Sequence, residues 1–209
     1  MEKAATIRVP QGPALEARLA PIASPQGGFV VCHPHPLHGG DMDNPVVIRA
    51  AEVAQAAGYA TLRFNFRGVG ASEGIHDKGR GEQDDVRAAM ATLAAHLPAG
   101  SPVGVMGYSF GAAMAARATR PDVPHAPLAL IAPPLGMYDL DFLQASPGRI
   151  LLVAGTEDSY CPVEALDRLA ALTGAEKRVI EGANHFFFGK LYPLGEAIGA
   201  WLAGRPPAG

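Results

Sequence analysis

Short apolar runs of strand length alternate with Ala-rich segments of helical period along nearly the whole chain, and this alternation confines the fold. Two runs, 5–9 and 15–19, flank the turn signal Pro10-Gln11-Gly12-Pro13, which predicts an antiparallel hairpin at one edge of a sheet. Further strands are expected at 29–32, 59–64, 103–106, 128–132, 150–154 and 177–180. Between them fall helical patterns at 45–57, 81–97, 110–118, 162–172 and about 193–202. Pro45 opens the first of these and Gly58 follows its end, while Pro98 stops the second. Strands alternating with helices make βαβ units, and right-handed crossovers put the helices on both faces of the sheet. The expected fold class is α/β: a three-layer α/β/α sandwich with a mostly parallel central sheet and an antiparallel N-terminal edge. The tail from Gly204 to Gly209 reads as frayed.

Composition narrows the partners. The 209 residues are 48% hydrophobic and 18% charged, which suits one globular domain over 1–209 with a large core. The net charge is -3 and Lys and Arg are scattered, so no nucleic-acid partner is expected. Two cysteines exclude a disulfide framework and leave a single bridge open. The opening MEKAATIRVPQG has no apolar core of a signal peptide, and no apolar run approaches the length of a membrane span. These features predict a cytoplasmic protein, monomer or homodimer, that acts on a small molecule without a membrane.

In a mostly parallel sheet the site lies beyond the carboxyl ends of the strands, so the residues following each strand carry the chemistry. After the strand at 103–106 comes Gly107-Tyr108-Ser109-Phe110-Gly111, a G-x-S-x-G elbow leading into an Ala-rich helix. The turn is sharp, so the positions two before and two after the serine must lack bulk; both are glycine. The helix starts at Ser109 and aims its first N–H groups at any oxyanion that forms there. Ser109 is the expected nucleophile.

A serine hydroxyl needs a base, and in chains with this elbow the acid and then the base follow the serine. The strand at 150–154 ends in Gly155-Thr156-Glu157-Asp158, which makes Asp158 the expected acid and Glu157 the near alternative. A helix-capping role for Asp158 is the structural alternative. Of seven histidines only His185 lies beyond Asp158, so chain order selects it as base; His125 falls between Ser109 and Asp158, in the wrong order. His185 would take the Ser109 proton and pass it to the leaving group, with Asp158 holding the imidazole tautomer.

Two backbone N–H groups are expected to form an oxyanion hole. One is that of Phe110; the other comes from the loop Cys32-His33-Pro34-His35-Pro36-Leu37-His38-Gly39-Gly40, where Pro34 and Pro36 cannot donate and Leu37 is the selected donor. The three histidines here lack the helical spacing and acidic partner of a zinc motif, so no metal is expected; His33 or His35 is read as shaping the loop through backbone hydrogen bonds. No cofactor motif is present: Gly68-Val69-Gly70 lacks the G-K-[ST] of a phosphate loop. Arg67 is expected to pair with a carboxylate, and Asp84 and Asp85 to serve the helix dipole. Tyr108 and Phe186 are the expected substrate-pocket residues, Phe110 a further wall, and at least two of Phe186, Phe187 and Phe188 are expected in the core. Only a small helix fits between 133 and 148, so the site should be open, with a minimal lid.

These segments, together with Asp41-Met42-Asp43-Asn44 and Phe64-Asn65-Phe66-Arg67-Gly68-Val69-Gly70, resemble the compact lidless α/β-hydrolases of bacteria, relatives of the dienelactone hydrolases. The resemblance covers nearly the whole chain. It implies the α/β-hydrolase fold and esterase activity on small acyl esters. The dienelactone hydrolases use a cysteine nucleophile where this chain has Ser109, so the resemblance implies a serine carboxylesterase rather than dienelactone chemistry. A thioesterase or amidase on the same residues, and a non-catalytic ligand-binding protein on the same fold, remain the alternatives.

Overall fold

The computed structural model describes residues 2–119, 127–146 and 148–204. His125 and most of the C-terminal tail, both remarked on above, lie outside the described residues. Eight strands form one sheet: β1 (Lys3–Arg8), β2 (Ala14–Ala20), β3 (Gly28–Cys32), β4 (Ala60–Phe64), β5 (Val103–Tyr108), β6 (Leu128–Ile131), β7 (Ile150–Glu157) and β8 (Glu176–Asn184). Five α-helices accompany them: α1 (Pro45–Ala56), α2 (Gly81–Ala94), α3 (Phe110–Ala118), α4 (Val163–Thr173) and α5 (Leu191–Leu202). The spatial order is β1-β2-β4-β3-β5-β6-β7-β8. β1 and β2 pair antiparallel, β2 pairs antiparallel with β4, and the rest of the sheet is parallel. This is the expected class, with the expected antiparallel edge.

The central strands read as unbroken apolar runs because both their faces are covered. Side chains leave alternate faces, so β7 sends Leu151 and Val153 to one layer and Leu152 and Ala154 to the other. The first layer packs on α1 and α5, through Val47, Ala50, Leu194 and Trp201. The second packs on α2, α3 and α4, through Val86, Ala113 and Leu166. Each Val, Leu or Phe so buried contributes roughly 1.5–3 kcal/mol relative to exposure.

Local chemistry sets the helix ends. The Asn44 side chain accepts the Val46 N–H at 3.0 Å and Pro45 occupies the first turn of α1. Gly174, in the left-handed conformation, ends α4. α2 stops three residues before its expected end: the N–H groups of His96 and Leu97 turn back to the carbonyls of Leu93 and Ala94, a tighter i→i−3 pattern that closes the helix before Pro98. The crossing from β6 to β7 carries one short 3₁₀ turn, Asp141–Ala145, among its described residues. No helix among the described residues is long and apolar enough to cross a membrane.

Candidate active site

Ser109 sits between β5 and α3 with φ 55° and ψ −119°, a region that costs a non-glycine residue on the order of 1–3 kcal/mol. Its neighbours make the turn feasible. A Cβ on Gly107 would lie 2.3 Å from the Gly111 carbonyl oxygen, and one on Gly111 would lie 2.5 Å from the carbonyl oxygens of Cys32 and His33. The two glycines therefore let α3 close onto the ends of β5 and β3. The helix N-terminus and the serine then share one spot above the sheet.

His185 and Asp158 arrive from the adjoining edge, at the ends of β8 and β7. His185 Nε2 lies 3.0 Å from Ser109 Oγ, and His185 Nδ1 lies 2.9 Å from both carboxylate oxygens of Asp158. With its proton assigned to Nδ1 by the carboxylate, the imidazole presents Nε2 to the serine as an acceptor. Asp158 is buried, and its Oδ1 also accepts the N–H groups of Tyr160 (2.9 Å) and Cys161 (3.0 Å). Asp158 thus faces His185 and at the same time orders the turn ahead of α4, whose own N-cap is Pro162. Glu157, the alternative acid, is exposed.

The His185 loop is tied down from below. The Tyr108 hydroxyl donates to the His185 carbonyl at 2.9 Å, and burial pushes its pKa up. Tyr108 is among the residues that line the cavity, and its hydroxyl is spent on the His185 loop. The Phe186-Phe187-Phe188 expectation is corrected. Phe187 alone is core, while Phe186 and Phe188 are exposed and stack on each other at 5.5 Å. The turn decides this: Phe187 adopts φ 52° and donates its N–H to the Asn184 carbonyl, which drives one ring inward and its two neighbours outward.

The loop after β3 corrects another expectation. The Leu37 N–H, selected above for an oxyanion, donates instead to His35 Nδ1 at 3.2 Å within the 3₁₀ turn Pro36–His38, and the Leu37 side chain is 70% exposed. The N–H of His35 itself, like that of Phe110, has no hydrogen-bond partner among the described residues. His35 lies on the cavity wall and its ring packs on that of Phe110 at 4.9 Å. A histidine with two acceptor-sided prolines offered no sign of this in sequence, because the choice between the two amides depends on which one the His35 ring captures.

His33 holds the same loop, as anticipated. Its Nδ1 donates to the Pro34 carbonyl (2.6 Å) and its Nε2 accepts the Phe66 N–H (3.0 Å), so only the neutral ring satisfies both. Burial holds its pKa down to about 4. The native state therefore binds fewer protons than the unfolded chain between about 6.5 and 4. The stabilisation is fully present above pH 6.5 and is lost as pH falls toward 4, a contribution on the order of 3 kcal/mol. In urea unfolding at pH 7 and pH 4.5, the wild type should lose more stability on acidification than His33→Gln. Equal losses would exclude the His33 account.

Beside the loop, Arg67 pairs with buried Asp85, whose carboxylate also accepts the Arg67 N–H, while Asp84 pairs with Arg87 on the surface. Asp85 is thus a brace between α2 and the loop after β4, beyond any helix-dipole role. Sequence reasoning missed Glu82 and His76. Glu82 is fully buried, accepts the N–H groups of Asp77 and Gly79, and lies 2.8 Å from His76 Nδ1. His76 in turn packs its ring 4.9 Å from that of His35, across 41 residues of chain that gave no local signal. Among the described residues no group of three or more His, Cys, Asp or Glu side chains is arranged to hold a metal ion. Cys32 and Cys161 are both free and buried, and burial raises both thiol pKa values.

A cavity of about 270 Å³ opens over Ser109 and His185, walled by Phe110, Tyr138, Tyr160 and Phe186 with His35 and His38. A serine at a strand–helix elbow in a mostly parallel sheet, with an imidazole and a carboxylate from the next strand ends, defines a hydrolase scaffold. The sequence profile of the alpha/beta hydrolase fold matches residues 30–125. An uncharacterized protein of Rickettsia prowazekii is 35% identical over 201 residues, covering 90% of this chain and 84% of that one. An alpha-beta serine hydrolase homologue from Coxiella burnetii superposes with TM-score 0.88 at 34% identity, covering 96% of this chain and 97% of that one. A Xanthomonas campestris protein, described as an a/b serine hydrolase without lid, gives 0.86 at 32% identity, covering 100% and 96%. This chain belongs to the α/β-hydrolase family.

Proposed function

We propose that this protein is a serine carboxylesterase that cleaves small esters through an acyl-enzyme. The observation that carries the reading is the continuous relay from Ser109 Oγ to His185 Nε2 (3.0 Å) and from His185 Nδ1 to Asp158 (2.9 Å), opening into a cavity. Ser109 Oγ attacks the ester carbonyl while His185 takes its proton. The N–H groups of Phe110 and His35 receive the oxyanion. His185 then gives the proton to the departing alcohol, and a water activated by the same imidazole releases the acid. Asp158 fixes the ring and stabilises the imidazolium. The domain is a single unit with a minimal lid, a reading supported by the short 3₁₀ turn between β6 and β7.

A fluorophosphonate probe followed by peptide mapping, alongside hydrolysis of p-nitrophenyl esters from acetate to palmitate, tests this. The expected result is labelling of Ser109 alone and turnover falling from short to long acyl chains. Labelling without ester turnover would move the activity to thioesters or amides on the same residues. Neither labelling nor turnover would leave a binding protein on a hydrolase fold.

A further inference from the structure

We propose that Tyr160 and Phe186 form a clamp for the leaving group, so that the preferred substrates are esters of flat, aromatic alcohols. This rests on the esterase reading and specifies its substrate class. In that reading the carbonyl oxygen points to the N–H groups of Phe110 and His35. The alkoxide leaves toward His185 Nε2, which supplies its proton as the C–O bond breaks and the alcohol departs. The rings of the cavity wall divide between those two ends. Phe110 is packed by His35 (4.9 Å) and Tyr138 (6.4 Å), whereas His185 is packed by Tyr160 (4.7 Å), Phe186 (5.6 Å) and the buried Tyr108 (5.7 Å). Of these rings on His185 only Tyr160 and Phe186 are exposed, so they are the ones that the group accepting the His185 proton meets as it leaves.

Both rings are mounted for this and lack a cover. The Tyr160 N–H is held by Asp158 and the Phe186 N–H by the Asn184 side chain, so each backbone is fixed by the same turns that place the acid and the base. The side chains nevertheless stand 50% and 56% exposed at the cavity wall, and Phe188, stacked behind Phe186, prolongs the apolar surface outward. Two rings fixed at their backbones favour a flat π-system over an aliphatic group of equal size, through offset or edge contacts.

Benzyl acetate and cyclohexylmethyl acetate share the acyl group and have alcohols of similar acidity and bulk, so their kcat/KM ratio reads the clamp alone. The wild-type ratio is expected to be about tenfold in favour of benzyl, and Phe186→Leu and Tyr160→Leu should each lower it about threefold, with Tyr160→Phe retaining it. A wild-type ratio near one, or a ratio unmoved in both leucine variants, overturns the clamp. If Ser109 takes the fluorophosphonate while the ratio is flat, the clamp fails and the esterase reading stands. If Ser109 is not labelled and neither acetate is cleaved, the esterase reading fails and the clamp with it.

Discussion

Ser109→Ala should lower kcat on p-nitrophenyl acetate by on the order of 10⁴–10⁶-fold while the protein unfolds close to the wild-type denaturant midpoint. The size of the loss follows from the relay. Without Oγ no acyl-enzyme forms, so in this reading only direct attack by water remains, helped by the imidazole, the oxyanion donors and the cavity. The small stability effect follows from the backbone. Ser109 keeps its φ of 55° only because β5, α3 and the glycines around it impose the turn. Alanine removes a hydroxyl that interacts with His185 and leaves that turn unchanged. Retained hydrolysis in a folded Ser109→Ala protein would remove Ser109 from the reaction.

His35→Pro should lower kcat by about 10²–10³-fold, the loss typical of one oxyanion donor, with His35→Ala as its control. The comparison is clean because His35 already has φ −59°, the value a proline ring imposes. Both variants lose the imidazole, its packing on Phe110 and its capture of the Leu37 N–H. Only the proline loses the main-chain N–H. The ratio of the two kcat values therefore reports that one hydrogen, and a ratio near one would assign the second donor elsewhere. Circular dichroism and the His33-dependent stability at pH 7 check that the loop keeps its fold in both.

How legible all this was depended on whether the deciding interaction was local. β3, most of β5 and the first five residues of β7 were plain because both faces are covered and the side chains are apolar, whereas β7 runs on through exposed Thr156 and Glu157. β8 was read short, at 177–180, because an edge strand carries Glu176, Lys177 and Arg178 on partly covered positions and continues through Gly182 past a bulge against β7. Ser109, Asp158 and His185 could be named from strand ends and chain order, since parallel topology brings those ends together. The fate of the Leu37 amide could not, because a ring nitrogen two residues away captures it. Nor could the fates of Phe186 and Phe188, which hang on one backbone angle at Phe187. The brace of Glu82 behind His76 joins residues whose spacing belongs to no motif, and only the folded chain sets them side by side.

The buried hydroxyl of Tyr108 joins the residue before Ser109 to the main chain of His185. Ser109 and His185 are thereby closed into a small ring of one peptide step and two hydrogen bonds. Displacing the His185 main chain would strand a phenol in the protein interior, so the backbone that carries the imidazole stays anchored beside Ser109. Substrate arrival then has no assembly step to wait for. Turnover should begin without a lag when enzyme and ester are mixed.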